Sequence, residues 1–107
     1  MSNLLDEYSD LTRRTSVYPI SRELEYLSLG LAGEAGEIAN KVKKIIRGDP
    51  HNPDDKEIAL EIGDLLWYAD RLCSCLGTSM ENVIRSNMTK LSGRMKRGTI
   101  KGNGDGR

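Results

Sequence analysis

The sequence predicts an all-α fold, a bundle of four to five helices, on three observations. Apolar residues recur every three to four positions through four separate stretches. No stretch alternates apolar with polar residues as a half-buried strand does. Clusters of Gly, Pro, Asn and Asp fall between the periodic runs.

The first helix spans about Asn3 to Arg14, where Leu4, Leu5, Tyr8 and Leu11 share a face. Tyr18-Pro19 interrupts it, because a residue before proline is pushed out of the helical region. Ser21 is positioned to cap a second helix, whose stripe Leu24, Leu27, Leu31, Ile38, Val42 and Ile45 runs to about Arg47. The six residues from Gly48 to Pro53 are all turn formers or polar, His51 among them, and form a loop. Asp54 with Glu57 three residues on reads as a capping box opening a third helix, with Ile58, Ile62, Leu65, Leu66, Ala69 and Leu72 on its apolar face and Gly77 beyond its end. Thr78 with Glu81, or Ser79, caps a fourth helix carrying Val83, Ile84, Met88, Leu91 and Met95. A short loop makes the second and third helices antiparallel neighbours. Residues 1–98 form one helical domain, and the glycine-rich tail 99–107 is mobile unless a ligand or neighbour orders it.

With 107 residues, no Phe, one Trp and four Tyr, the core rests on Leu, Ile, Val, Met and Ala. So thin an apolar supply predicts burial against further copies of the chain, as a homodimer or homotetramer. Sixteen basic residues balance sixteen acidic ones, so nothing in the total charge argues for a nucleic-acid or membrane-surface partner, and neither is expected. Cys73 and Cys75, two apart on a helix, point to different sides and are expected to stay free in a reducing compartment. With no signal-like apolar run and no spanning stretch, the expected location is cytoplasmic.

Two acidic motifs carry the chemistry. Glu34-Ala-Gly-Glu37 and Glu61-Ile-Gly-Asp64 each set two carboxylates three residues apart, on one face of a helix. Four acids converging from two packed helices repel one another unless a cation lies between them, and an all-oxygen donor set selects a hard ion, Mg2+ or its substitute Mn2+. The basic residues Lys41, Lys43, Lys44, Arg47, Lys90, Arg94, Lys96, Arg97 and Lys101 follow the first motif or lie near the C-terminus, which suits a polyanion arriving with its metal. Lys41 and Lys44 read as structural, Lys41 pairing with Glu37 one turn back. Gly30, Gly33, Gly36 and Gly63 each cost helix stability beside the acids, for close helix approach or for ligand room. A di-iron carboxylate bundle is set aside because no histidine falls on a predicted helix.

Taken together, the run Leu29-Gly30-Leu31-Ala32-Gly33-Glu34-Ala35-Gly36-Glu37, the later Glu61-Ile62-Gly63-Asp64-Leu65-Leu66-Trp67-Tyr68, and Asn87-Met88-Thr89-Lys90-Leu91 with Arg94 resemble the MazG-like nucleotide pyrophosphohydrolases. These belong to the all-α NTP pyrophosphatase superfamily. The resemblance covers most of the chain. It implies that residues 1–98 are a catalytic domain in which Glu34, Glu37, Glu61 and Asp64 hold Mg2+, with Glu34 or Glu37 as general base. It also implies that Asn87, Lys90 and Arg94 receive the triphosphate and that Tyr68 lies near the sugar. For the base, Tyr18 is the first candidate, with Tyr8, Tyr26 and Trp67 beside it. The implied reaction is water attack at the α-phosphorus of a (d)NTP, standard or modified, giving the monophosphate and pyrophosphate. The ending Gly104-Asp105-Gly106-Arg107 is expected to order near a neighbouring active site. Two other readings stay open: a phosphoribosyl-ATP pyrophosphohydrolase, and a non-catalytic helical assembly module.

Overall fold

The computed structural model describes residues 3–107 and consists, among them, of four α-helices and no strands. They are α1 (Leu4–Arg14), α2 (Glu23–Arg47), α3 (Asp55–Cys75) and α4 (Met80–Arg97), with a 3-10 turn at Ile20–Arg22.

Side chains expected to cap the helices do so at two of the three predicted starts. Asp54 Oδ1 accepts from Glu57 N at 2.9 Å, and Ser79 Oγ, rather than Thr78, accepts from Asn82 N at 3.1 Å. Asn3 serves α1 in the same way. Ser21 does not cap α2. Pro19 instead opens the 3-10 turn, with Arg22 N bonded to Pro19 O, and the chain winds from that turn directly into α2. At the other ends, Gly48 and Gly98 take φ of +76° and +71° and donate back to the last turns of α2 and α4, the left-handed conformation that glycine adopts without strain.

The dominant packing is α2 against α3. Partners run in opposite directions along the two helices, Gly30 facing Tyr68 and Lys41 facing Glu61, so the pair is antiparallel as predicted. Helix α1 is locked onto α3 by polar contacts. Asp70, only 2% exposed, accepts the Ser9 hydroxyl at 2.6 Å and the Thr12 hydroxyl at 2.5 Å, which satisfies a buried carboxylate through two separate donors. Tyr8 reaches the Gly63 carbonyl at 3.2 Å, and Trp67 Nε1 donates to Thr15 Oγ1 at 2.9 Å.

Among the described residues few apolar side chains are buried, Leu27, Cys73 and Met80 being the principal ones. Stripe residues Leu24, Val42, Ile45, Ile62, Leu66, Val83, Ile84, Met88, Leu91 and Met95 remain exposed in the single chain. Both cysteines are free. No helix among the described residues is long and apolar enough to cross a membrane.

The tail, residues 99–107, folds back onto α4 in the single chain. Side chains of its own α4 hold it: Lys90 and Arg94 bind Asp105, and Arg97 donates to the Arg107 carbonyl.

Candidate functional site

Helices α2 and α3 bring three of the four predicted acids together. Glu34, Glu61 and Asp64 each offer a carboxylate oxygen, and these oxygens lie within 4.8 Å of one another. Each motif spans i to i+3, so one face of α3 supplies two of the acids and the facing turn of α2 supplies the third. Glu37, one turn further along α2, is exposed and stands outside this trio. It lines an open groove with Gly33, Gly36, Ala39, Asn40 and Lys43.

The electrostatics fit a cation. A hydrogen bond shared with Glu61 is the largest influence on the Glu34 carboxyl. Burial and the negative charges of Asp64, Glu61 and Glu37 add to it, and the group is pushed up to about 7. In addition, Glu34 Oε2 is buried and has no hydrogen-bond partner. An orphaned oxygen among crowded carboxylates is what a hard cation satisfies, so the donor set suits a divalent ion. The cation paired with this trio is Lys41, whose Nζ lies 3.8 Å from Glu61 Oε1 across the helix interface. The expected Glu37–Lys41 pairing gives way to this contact because Lys41 points toward α3.

Glu34 and Asp64 also line a cleft of about 340 Å³ whose other walls are Thr15, Val17, Tyr18, Tyr26, Trp67 and Tyr68. Four of the five aromatic residues in the chain therefore gather beside the acids. Tyr18 and Tyr26 stack at 5.2 Å between ring centroids, and Trp67 meets Tyr18 and Tyr68 edge-on at 6.3 and 5.1 Å. Burial first, and then the Glu23 carboxylate that accepts its proton at 2.6 Å, raise the Tyr18 hydroxyl to about 12. Burial likewise raises the Tyr68 hydroxyl, helped by Tyr26, Glu34 and Asp64. Both phenols stay neutral donors at physiological pH.

Gly30 explains how Tyr68 reaches this wall. A Cβ built at Gly30 falls 2.5 Å from Tyr68 Cζ and 2.6 Å from Cδ1, so only a glycine there lets the ring come this close to α2. By contrast, Gly33, Gly36 and Gly63 face open space in the single chain. The close-approach reading thus applies to one glycine.

The predicted phosphate residues sit on α4, away from these contacts. Asn87 and Lys90 line a shallow groove with Thr78, Asn82, Val83 and Ser86. Arg94 is 5% exposed, and its Nε lacks a partner. Lys90 first, then Arg94, hold the Asp105 carboxyl below its usual range. Thr15 and Val17, which also line the cleft, follow α1 in an irregular segment and carry no sequence signal.

Comparison with known proteins adds a family. Residues 22–99 match the family model described as the MazG nucleotide pyrophosphohydrolase domain. The chain is 40% identical over 114 residues to the Gene 37 protein of Mycobacterium phage L5, covering 96% of this chain and 98% of that one. No solved structure matches.

Proposed function

The chain belongs to the MazG nucleotide pyrophosphohydrolase family, and on that premise we propose that it is a Mg2+-dependent nucleoside triphosphate pyrophosphohydrolase. It converts a (d)NTP, standard or modified, to the monophosphate and pyrophosphate, a role in nucleotide-pool control. The observation that carries this reading is the acid trio opening directly into the aromatic cleft. Glu34 and Asp64 belong to both, so a metal-bound phosphate at the trio would leave its nucleoside facing the rings. At about 340 Å³ the cleft falls within the usual range for a small-molecule site.

Glu34, Glu61 and Asp64 hold the ion, with Glu37 one turn away on the same helix. When bound, Mg2+ supplies Lewis-acid polarisation of a phosphoryl oxygen and offsets substrate charge, and Mn2+ substitutes for it. The proton of the attacking water passes to a carboxylate of the α2 motif, Glu34 or Glu37. Lys90 as a point charge and Arg94 as a planar fork, with Asn87 one turn before, receive the β- and γ-phosphates and neutralise charge on the departing pyrophosphate. Tyr18 and Tyr68 contact the nucleoside, one by stacking and the other beside the sugar.

Assembly of several copies is part of this reading. The chain exposes 7978 Å², whereas a compact monomer of this mass exposes about 6,000 Å². Its radius of gyration is 16.9 Å against about 13 Å for a compact domain of this length. The exposed stripes of α2, α3 and α4 supply the apolar surface for a homodimer or homotetramer.

The test is a panel of nucleoside triphosphates incubated with Mg2+ and assayed for pyrophosphate. Release from one or more of them, lost in Glu61→Gln, supports the proposal. A chain active only on phosphoribosyl-ATP, or one inactive on every nucleotide, overturns it.

A further inference from the structure

The C-terminal tail makes contacts that hydrolysis itself does not require. After α4 the chain turns back at Gly98, and Gly104, with φ of +77°, turns it again so that Asp105 meets the basic face of α4. Asp105 Oδ1 lies 3.1 Å from Lys90 Nζ and 3.0 Å from Arg94 Nη2. Arg94 Nη2 also donates to the Gly104 carbonyl at 3.5 Å. The last residue fastens the arrangement: Arg97 Nη2 donates to the Arg107 carbonyl at 2.6 Å, and Arg107 Nη1 to the Gly104 carbonyl at 2.7 Å. One carboxylate oxygen thus sits between a lysine and an arginine at charge-assisted hydrogen-bond distances, the place and charge a phosphate oxygen would take.

We propose that Asp105 is a built-in stand-in for phosphate: the tail fills the Lys90–Arg94 anion site of the ligand-free chain, and a phosphate group must displace it to bind. The proposal rests on the assignment of Lys90 and Arg94 to the triphosphate. Both anions need the same donors, so their binding is mutually exclusive. The contest is unequal. Asp105 brings one charge on a side chain that is 82% exposed, and such pairs are weak and screened by salt. A triphosphate or pyrophosphate brings several charges together with its metal. The tail is nonetheless tethered next to the site, so its effective concentration stays high at any dilution of the protein. A monoanionic ligand is therefore held off, whereas a polyphosphate enters.

The size of the effect follows from the fraction of chains with the site open. Apparent affinity falls in proportion to that fraction, and a weak exposed pair closes the site a few-fold, so removing the Asp105 charge should tighten polyphosphate binding about two- to sixfold. If the tail instead served to position Arg94 for the ligand, the same change would weaken binding. The two roles differ in sign.

The experiment is calorimetric titration of inorganic pyrophosphate with Mg2+ into the full chain, Asp105→Asn, Lys90→Met and the double variant. Tighter binding to Asp105→Asn that is lost again when Lys90→Met is added is the result expected. Unchanged or weaker binding to Asp105→Asn, with Lys90→Met still weakening it in the native background, overturns the stand-in role and leaves the phosphate assignment intact. Binding indifferent to Lys90→Met in both backgrounds overturns the assignment and the stand-in role with it.

Discussion

Replacing Gly30 by alanine tests the cleft at the residue that shapes it. The added methyl would stand 2.5 Å from Tyr68 Cζ, where carbon atoms settle at about 3.5 to 4.0 Å. The ring must therefore retreat by about 1 Å or more. Two opposing terms set the stability change. Overpacking costs about 1 to 3 kcal/mol, and exchanging glycine for alanine inside a helix recovers about 1 kcal/mol. The net loss is about 0 to 2 kcal/mol, which lowers the melting temperature by up to roughly ten degrees in a domain of this size. Binding suffers more than stability, because the displaced ring is a wall of the nucleoside cleft. KM should rise about tenfold, the value of one well-placed aromatic contact, while Mn2+ affinity stays near the native value. Thermal melting by circular dichroism and steady-state pyrophosphate release read the two effects. In a Tyr68→Ala background the stability cost of Gly30→Ala should vanish, as it must if the ring is its source. A Gly30→Ala chain that melts higher than native with unchanged KM would show that the ring does not depend on the glycine.

Other outcomes follow from the same contacts. Thr12→Val removes one of the two hydroxyls on buried Asp70 and should cost about 1 to 3 kcal/mol in urea unfolding, with Mn2+ affinity unchanged. Because the folded Glu34 carboxyl is raised to about 7 from an ordinary value of 4.5, the metal-free fold holds a proton there that the unfolded chain has lost. Its stability should accordingly be full below about pH 4.5 at this group and decline as pH rises to about 7. Mn2+ must displace that same proton, so its affinity should increase with pH up to about 7 and then level off, and Glu34→Gln should flatten both profiles. Sedimentation equilibrium should give a dimer or tetramer, and Met88→Glu on the exposed α4 stripe should shift it toward monomer.

Local rules carried most of the fold. Apolar spacing located the four helices, and the side-chain caps at Asp54 and Ser79 marked two of their starts. Ser21 misled because Pro19 supplies a different entry to α2, a 3-10 turn that needs no side-chain cap. The acid trio was legible because i to i+3 spacing and an antiparallel pair together dictate where Glu34, Glu61 and Asp64 meet. What the sequence concealed depends on distant partners. Asp70 and Arg71 look like ordinary surface charges until α1 covers Asp70 with Ser9 and Thr12 and both side chains become buried. Lys41 chooses Glu61 on another helix over Glu37 on its own, and Gly30 matters because of a ring 38 positions away. The exposed stripes belong here too, since periodicity says which residues avoid water but not which surface they find.

Cleavage between the α- and β-phosphates by water attacking the α-phosphorus leaves the water's oxygen on the monophosphate. Turnover of the preferred nucleotide in oxygen-18-enriched water, followed by mass spectrometry of both products, tests it most directly. The label is expected in the nucleoside monophosphate and not in the pyrophosphate, with turnover abolished in Asp64→Asn. Label in the pyrophosphate, or release of orthophosphate in its place, would contradict it.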